Sequence, residues 1–137
     1  MELIFRAMAE TDRNFVLSSW LRTYAHSGEV KHTYEERVDD YYRDYEPVVK
    51  ALIARSQVIC AVLPENHDVV VGWVCLEDDT IHYVLVKPRF RECGIAGQLL
   101  DGMDAMPLAY THRTGPAFRR LRFPTTWAFR PFRRYAA

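Results

Sequence analysis

Residues 81–100 read IHYVLVKPRFRECGIAGQLL, and the residue types there suit an anion site. Gly94, Ala96 and Gly97 are small enough to let a ligand reach the backbone. The amides that open a helix have no partner within it, so a phosphate can take them, assisted by the positive end of the helix dipole. Arg89 and Arg91 add fixed charge beside them. Proton chemistry could come from His82 on the preceding strand, with Asp79 and Thr80 at its start. The run Glu77-Asp78-Asp79 is expected to be a solvated turn, and Cys93 a small loop residue in place of a nucleophile. His26, His32, His67 and His112 show no ligand spacing, nor do Cys60, Cys75 and Cys93, so no metal site is expected. Gly94-Ile95-Ala96-Gly97 has the form of a nucleic-acid-binding GxxG loop, but its apolar middle argues against that use.

The elements that must hold these residues can be read from periodicity. Residues 81–86 are rich in β-branched and aromatic side chains and predict a strand that Lys87-Pro88 ends. Strand alternation puts His82 on the face of Thr80 and Val84, opposite Tyr83 and Leu85. Upstream, residues 3–6 predict a strand. Thr11 or Asp12 then caps a helix whose stripe is Val16, Trp20, Leu21 and Tyr24, ended by Ser27-Gly28. A second helix is expected from the capping box Thr33-Tyr34-Glu35-Glu36, with Val38, Tyr41, Tyr45, Val48 and Leu52 on one face. Pro47 should kink or divide it. Residues 58–63 and 69–76 predict strands joined through residues 64–68. Residues 107–111 predict another strand, 114–121 a short helix, and Trp127-Ala128-Phe129 a last strand.

The segment resembles the acyl-CoA-binding core of the GNAT superfamily of N-acyltransferases. Its signature, Arg or Gln, two residues, Gly, any residue, then Gly or Ala, stands here as Arg91-Glu92-Cys93-Gly94-Ile95-Ala96. The Val86-Lys87-Pro88 strand end and Leu99-Leu100 also match, and the element order agrees from about Leu3 to Tyr110. The family often has Gly after the Arg where this chain has Glu92. The resemblance implies an α/β fold with a mixed, mostly antiparallel sheet flanked by helices. It also implies acetyl-CoA as cosubstrate and direct attack by an amine in a ternary complex. By the same resemblance, backbone at Val84, Leu85 and Val86 takes the pantetheine and carbonyl, while Arg91, Glu92, Cys93, Gly94, Ile95, Ala96 and Gly97 hold the pyrophosphate. A protonated amine needs a base, and His82 is the leading choice, with Asp79 and Thr80 beside it. The family's usual acid is a Tyr where this chain has Phe118; Tyr110, Tyr83 and Tyr135 are replacements, or the thiolate leaves unaided. The chain also looks like the short acetyltransferase-like proteins of tailed bacteriophages, which would place it in a host cytoplasm. The alternative is a GNAT-fold protein that keeps the CoA pocket, or is catalytically silent, and modulates a host protein by binding it.

At 137 residues with 49% hydrophobic content, the chain is long enough for one core, so one domain over residues 1–137 is expected. No apolar run approaches the ~20 residues of a spanning helix, so a membrane is not an expected partner. Scattered cysteines fit a reducing cytoplasm. The net charge of zero hides segregation: residues 29–46 hold seven acids, whereas residues 113–134 hold seven arginines and no acid. Either the two surfaces attract each other or face solvent, or the tail arginines meet an acidic partner. That partner could be a host protein, the acidic face of a second copy in a homodimer, or the cofactor's 3′-phosphate.

Overall fold

The computed structural model of the chain describes residues 2–91, 94–101, 109–113 and 127–135. Strand β1 (Ile4–Ala7) leads through a 3-10 turn at Glu10–Asp12 into helix α1 (Arg13–Tyr24), then α2 (Gly28–Tyr34) and α3 (Val38–Arg55). A meander of β2 (Gln57–Leu63), β3 (Asn66–Glu77) and β4 (Thr80–Val86) precedes α4 (Ile95–Asp101), β5 (Ala109–Tyr110) and β6 (Ala128–Phe129). A further 3-10 turn spans Pro131–Tyr135. These strands form one sheet in chain order, antiparallel from β1 to β4 and parallel from β4 to β6. The α/β class and the mixed sheet flanked by helices are as expected from the sequence.

Helices cover both faces of the meander, which is why its strands are nearly continuous apolar runs. On one face Val16, Trp20 and Tyr24 of α1 and Tyr41, Val49 and Leu52 of α3 pack with Cys60, Trp73, Cys75, Tyr83 and Leu85. On the other, Ile95 and Leu99 of α4 pack with Val71, Val74, Leu76, Ile81, Val84 and Val86. The stripe expected for α1 is buried as read.

Between α1 and β2 the structure corrects the sequence reading. Ser27 does not close α1; its Oγ accepts from the Val30 amide at 3.2 Å and opens α2, because serine serves a helix start as readily as a stop. Thr33 therefore lies in the last turn of α2, and Glu35, at φ 56°, turns the chain before α3. Val38 is exposed, and Val49 and Ile53, not Val48 alone, extend the buried face. Pro47 does not divide α3, which runs through it. The carbonyl that loses its partner belongs to Arg43, and both residues are exposed, so water can replace the bond. Asp12, not Thr11, organises the entry to α1: its carboxylate accepts from the Ala9 amide at 2.8 Å and pairs with Arg6. The helix expected over residues 114–121 lies outside the described residues, as do 107 and 108 of the expected 107–111 strand, whose Ala109–Tyr110 part forms β5.

Two backbone features position the site. β4 pairs with β5 only through Thr80 with Ala109 and Ile81 with Tyr110, so the β5 edge of β4 is unpaired above Ile81 among the described residues. Across the other edge, Cys75 faces Tyr83 but Leu76 faces Ile81, so His82 is an extra residue in β4, a bulge. Gly72 keeps β3 and β4 in close register: a Cβ there would lie 2.8 Å from the Leu85 carbonyl oxygen and 3.5 Å from Ile95 Cγ2. Gly72→Ala should therefore destabilise the fold by roughly 1–3 kcal/mol through forced backbone shifts. The expected readout is a lower urea midpoint at unchanged slope; an unchanged midpoint would show that the sheet accommodates the methyl freely.

Candidate functional site

The turn from β4 into α4 has the features of an anion cradle. Gly94 adopts φ +76°, a conformation that strains other residues, and a Cβ on Gly97 would meet nothing within 4 Å. The first helical bond runs from Gln98 N to Gly94 O at 3.1 Å, so the Ile95, Ala96 and Gly97 amides precede the helix's own ladder. Arg91 donates from Nε to the Val86 carbonyl at 3.1 Å and ties the loop to the strand end. Lys87 N bonds Val71 O at 2.8 Å, so by alternation the odd residues of upper β4 bond β3. The backbone groups of Val84 and Val86 consequently point to the edge that β5 leaves open among the described residues, where Arg91 takes the Val86 carbonyl, while those of Leu85 are used within the sheet. Glu92 and Cys93 lie outside the described residues, as does Phe118.

His82 is buried and engaged at both ring nitrogens. Nε2 lies 2.8 Å from Glu77 Oε1 and Nδ1 lies 2.9 Å from Thr111 Oγ1. Glu77 is held in turn by Arg55, the last residue of α3, whose Nε is 3.0 Å from both carboxylate oxygens. Thr111 Oγ1 is also 2.7 Å from His112 Nδ1, and His112 Nε2 is 2.5 Å from Tyr45 OH. His112 stands edge-on to the rings of Trp20, Tyr24, Tyr45 and Tyr83. Such a continuous polar line in an apolar layer persists because every member is satisfied.

These contacts move His82 to the face opposite to the one alternation assigns. Its partners belong with α3 and with the aromatic cluster of Tyr83, whereas Ile81 and Val84 pack toward α4. The bulge inserts one residue, and one residue inverts the alternation. Glu77 is likewise no merely solvated turn residue: it ends β3 and holds His82. Tyr110 sits elsewhere, beside Ile81 on the α4 side, with its ring 5.4 Å from that of Phe129. The structure does not bring His82 and Tyr110 together. Arg55, Glu77, Thr111, His112 and Tyr45 were not legible as a group, since Tyr45 and His112 are separated by 67 residues.

Arg134 locks the site from behind. It is buried, its guanidinium bonds the Thr111 carbonyl at 2.6 and 2.9 Å, and it forms an ion pair with Glu29 of α2. Arg133 reaches Asp79 at 3.0 Å and Thr80 Oγ1 at 2.7 Å, while Arg55 donates to the Arg133 carbonyl at 2.6 Å. The acidic and basic ends of the chain thus meet within one molecule at these residues, and Arg134 is structural. Arg134→Ala should cost roughly 1–3 kcal/mol by leaving the Thr111 carbonyl unpaired, whereas exposed Arg130→Ala should shift the thermal midpoint little. Equal midpoints for the two variants would contradict the lock.

Burial is the first cause that holds both histidines below the ordinary imidazole value; for His82 the Glu77 contact opposes it, and for His112 Arg134 reinforces it. Burial raises Glu77 and Glu29, but hydrogen bonds from His82 and Arg55, and from Arg134, outweigh it and hold both below the carboxylate range. For Asp12 the hydrogen bond from Arg6 comes first and lowers it. The unfolded chain therefore binds more protons than the folded one as pH falls below ~6.5, and stability declines from there. A second decline should follow below about pH 4.5, as the carboxylates lose their advantage. Thermal midpoints measured from pH 8 to 3 should be highest above pH ~7; a midpoint that rises between pH 7 and 5.5 would mean the histidines are charged in the fold.

A central strand that parts from its parallel neighbour and turns through small residues into a helix is the arrangement of the GNAT acetyltransferase fold, and this chain has that fold. Among solved structures it is similar to apo-form YjaB of Escherichia coli, at 19% identity and a TM-score of 0.52. It is also similar to the GCN5-related N-acetyltransferase of Rhodopseudomonas palustris, at 16% identity and a TM-score of 0.53. Each likeness covers 74% of this chain but only 63% and 62% of those proteins, so the chain spans less than two thirds of their length. No family model matches the sequence, and no curated protein matches it.

Proposed function

We propose that the chain is an acetyl-CoA-dependent N-acetyltransferase that passes the acetyl group to an amine, on a small molecule or a protein, by direct attack in a ternary complex. The observation that carries this reading is the parting of β4 from β5 above Ile81, directly below the small-residue turn into α4. The unpaired edge at Val84 and Val86 offers amides to a thioester carbonyl and a pantetheine arm. The amides of Ile95, Ala96 and Gly97 offer donors to a pyrophosphate. Acyl transfer to an amine of pKa ~10.4 also needs a proton acceptor, and neutral His82 is the group with that capacity at neutral pH.

A second reading is favoured by one observation. His82 has no free nitrogen and is sealed from solvent, as expected of a GNAT-fold protein that binds a partner, such as a host protein, without turnover. Release of CoA from acetyl-CoA with a panel of amines and peptides separates the two readings.

CoA binding tests the cradle itself. A Glu at Gly94 would add backbone strain, so Gly97 is the cleaner site: its surroundings are open, and Gly97→Glu places a carboxylate among the proposed phosphate donors. Calorimetry should show CoA binding to the wild type and none to Gly97→Glu, with equal thermal midpoints without ligand. A wild type that does not bind CoA removes the cofactor assignment.

A further inference from the structure

We propose that the buried line from Glu77 to Tyr45 is a proton-driven polarity switch: when His82 takes up a proton, every hydrogen bond from His82 to Tyr45 reverses, and His112 changes tautomer while staying neutral. The switch needs no ligand and stands apart from the acetyl-transfer reading.

The direction of the bonds in the neutral state follows from counting protons. Ionised Glu77 can only accept, so His82 Nε2 carries the proton of that contact. The neutral ring then has a lone pair at Nδ1, and Thr111 Oγ1, 2.9 Å away, donates to it. Threonine has one hydroxyl proton. Its 2.7 Å contact with His112 therefore runs the other way, with Nδ1–H of His112 as donor. Neutral His112 keeps a lone pair at Nε2, and Tyr45 OH donates to it at 2.5 Å. Every link points from Tyr45 toward Glu77, and Arg55 anchors the end.

A proton added to His82 can bond only at Nδ1, because Nε2 already carries one. Nδ1 then donates, Thr111 Oγ1 must accept, and the threonine hydroxyl has to turn to another acceptor. His112 Nδ1, at 2.7 Å, is nearer than the His82 carbonyl, whose 3.4 Å contact is long for a hydroxyl donor. His112 can accept there only as the Nε2–H tautomer, which donates to the Tyr45 oxygen. Tyr45 in turn needs an acceptor. Among the described residues the Tyr24 hydroxyl is buried without a hydrogen-bond partner, in a ring 5.2 Å from that of Tyr45 and beside Glu29. Protons balance if each group passes one along: Thr111 to His82, His112 Nδ1 to Thr111, Tyr45 to His112 Nε2, and Tyr24 to Tyr45. Water beside Glu29, whose carboxylate reaches the surface, resupplies Tyr24. The net change is one proton taken up and one N–H bond formed at His82. The charges that face the two rings favour this outcome. His82 has Glu77 of β3 beside it, with Arg55 of α3 and Arg134 of the last turn opposing, while Asp79 is held by Arg133. His112 faces Arg134 and His82 but touches no carboxylate, and Tyr83 among its ring neighbours is tied to Thr23, so it answers by tautomer and not by charge.

Long-range 15N spectra of the histidines, recorded from about pH 8 downward, read both rings at once. At the start of the series His82 should be the Nε2–H tautomer and His112 the Nδ1–H tautomer. As His82 charges, His112 should become the Nε2–H tautomer with the same midpoint, and it should remain neutral through that step. Thr111→Val keeps the shape but removes the hydroxyl that joins the rings, so the His112 tautomer should then ignore the charge of His82. Thr111→Ser keeps the hydroxyl and should keep the coupling. A His112 that stays Nδ1–H while His82 charges, a separate midpoint for its change, or coupling that survives in Thr111→Val each overturns the proposal. Unfolding of the wild type before His82 charges overturns it as well, because the switch must turn in the folded chain. Should Thr111→Val not fold, the wild-type series and Thr111→Ser decide.

Discussion

A threonine hydroxyl has one proton, and in this fold that proton decides the polarity of a buried line of side chains. Thr111 stands between two imidazoles and can donate to one of them. Since Glu77 fixes the protonated nitrogen of His82, the donation goes to His82, and the state of His112 and Tyr45 follows. Much of the surrounding structure serves this arrangement. The bulge turns His82 toward Glu77, α3 ends where Arg55 can hold that carboxylate, and Arg134 clamps the Thr111 carbonyl so that its hydroxyl cannot drift. A burial this complete would be costly for any member left unpaired, so the line is kept whole or lost as a unit.

Much of the fold was legible in the sequence because its signals are local. The meander, the α1 stripe and the turn from β4 through small residues into α4 each rest on periodicity within a short window. What escaped was not local. His82 carries no Gly or Pro beside it to mark a bulge, so alternation was carried straight through and inverted the face. His112 looked like an isolated histidine because its partners come from α1, α3 and β4. Ser27-Gly28 is ambiguous for a physical reason: glycine after a serine fits both the end of one helix and the N-cap of the next, and here the hydroxyl bonds forward to Val30. Only the folded chain decides which amide that hydroxyl meets.

The charge segregation in the sequence has a similar lesson. An acidic stretch and an arginine-rich tail suggested either mutual attraction or an external partner, and Glu29 and Arg134, 105 positions apart in the chain, do pair, the arginine buried and the carboxylate reaching the surface. Arg133 and Asp79 repeat the pattern at the surface, where such a pair contributes little. The difference between the two is burial. Arg134 also satisfies a backbone carbonyl, so its loss would expose a polar group the core cannot hydrate, whereas Arg133 can be replaced by water.

The two faces of the sheet impose a direction on any chemistry the site performs. On the α1 and α3 side, four aromatic rings close around His112 and leave no route for a polar acceptor. On the other side Val84 and Val86 side chains are covered by Ile95 and Leu99. Side chains thus close both faces over Val84 and His112, which leaves the plane of the sheet, along the edge that β4 presents where β5 stops among the described residues. Backbone amides at that edge are fixed donors whose aim does not depend on side-chain rotamers, which suits them to a developing oxyanion.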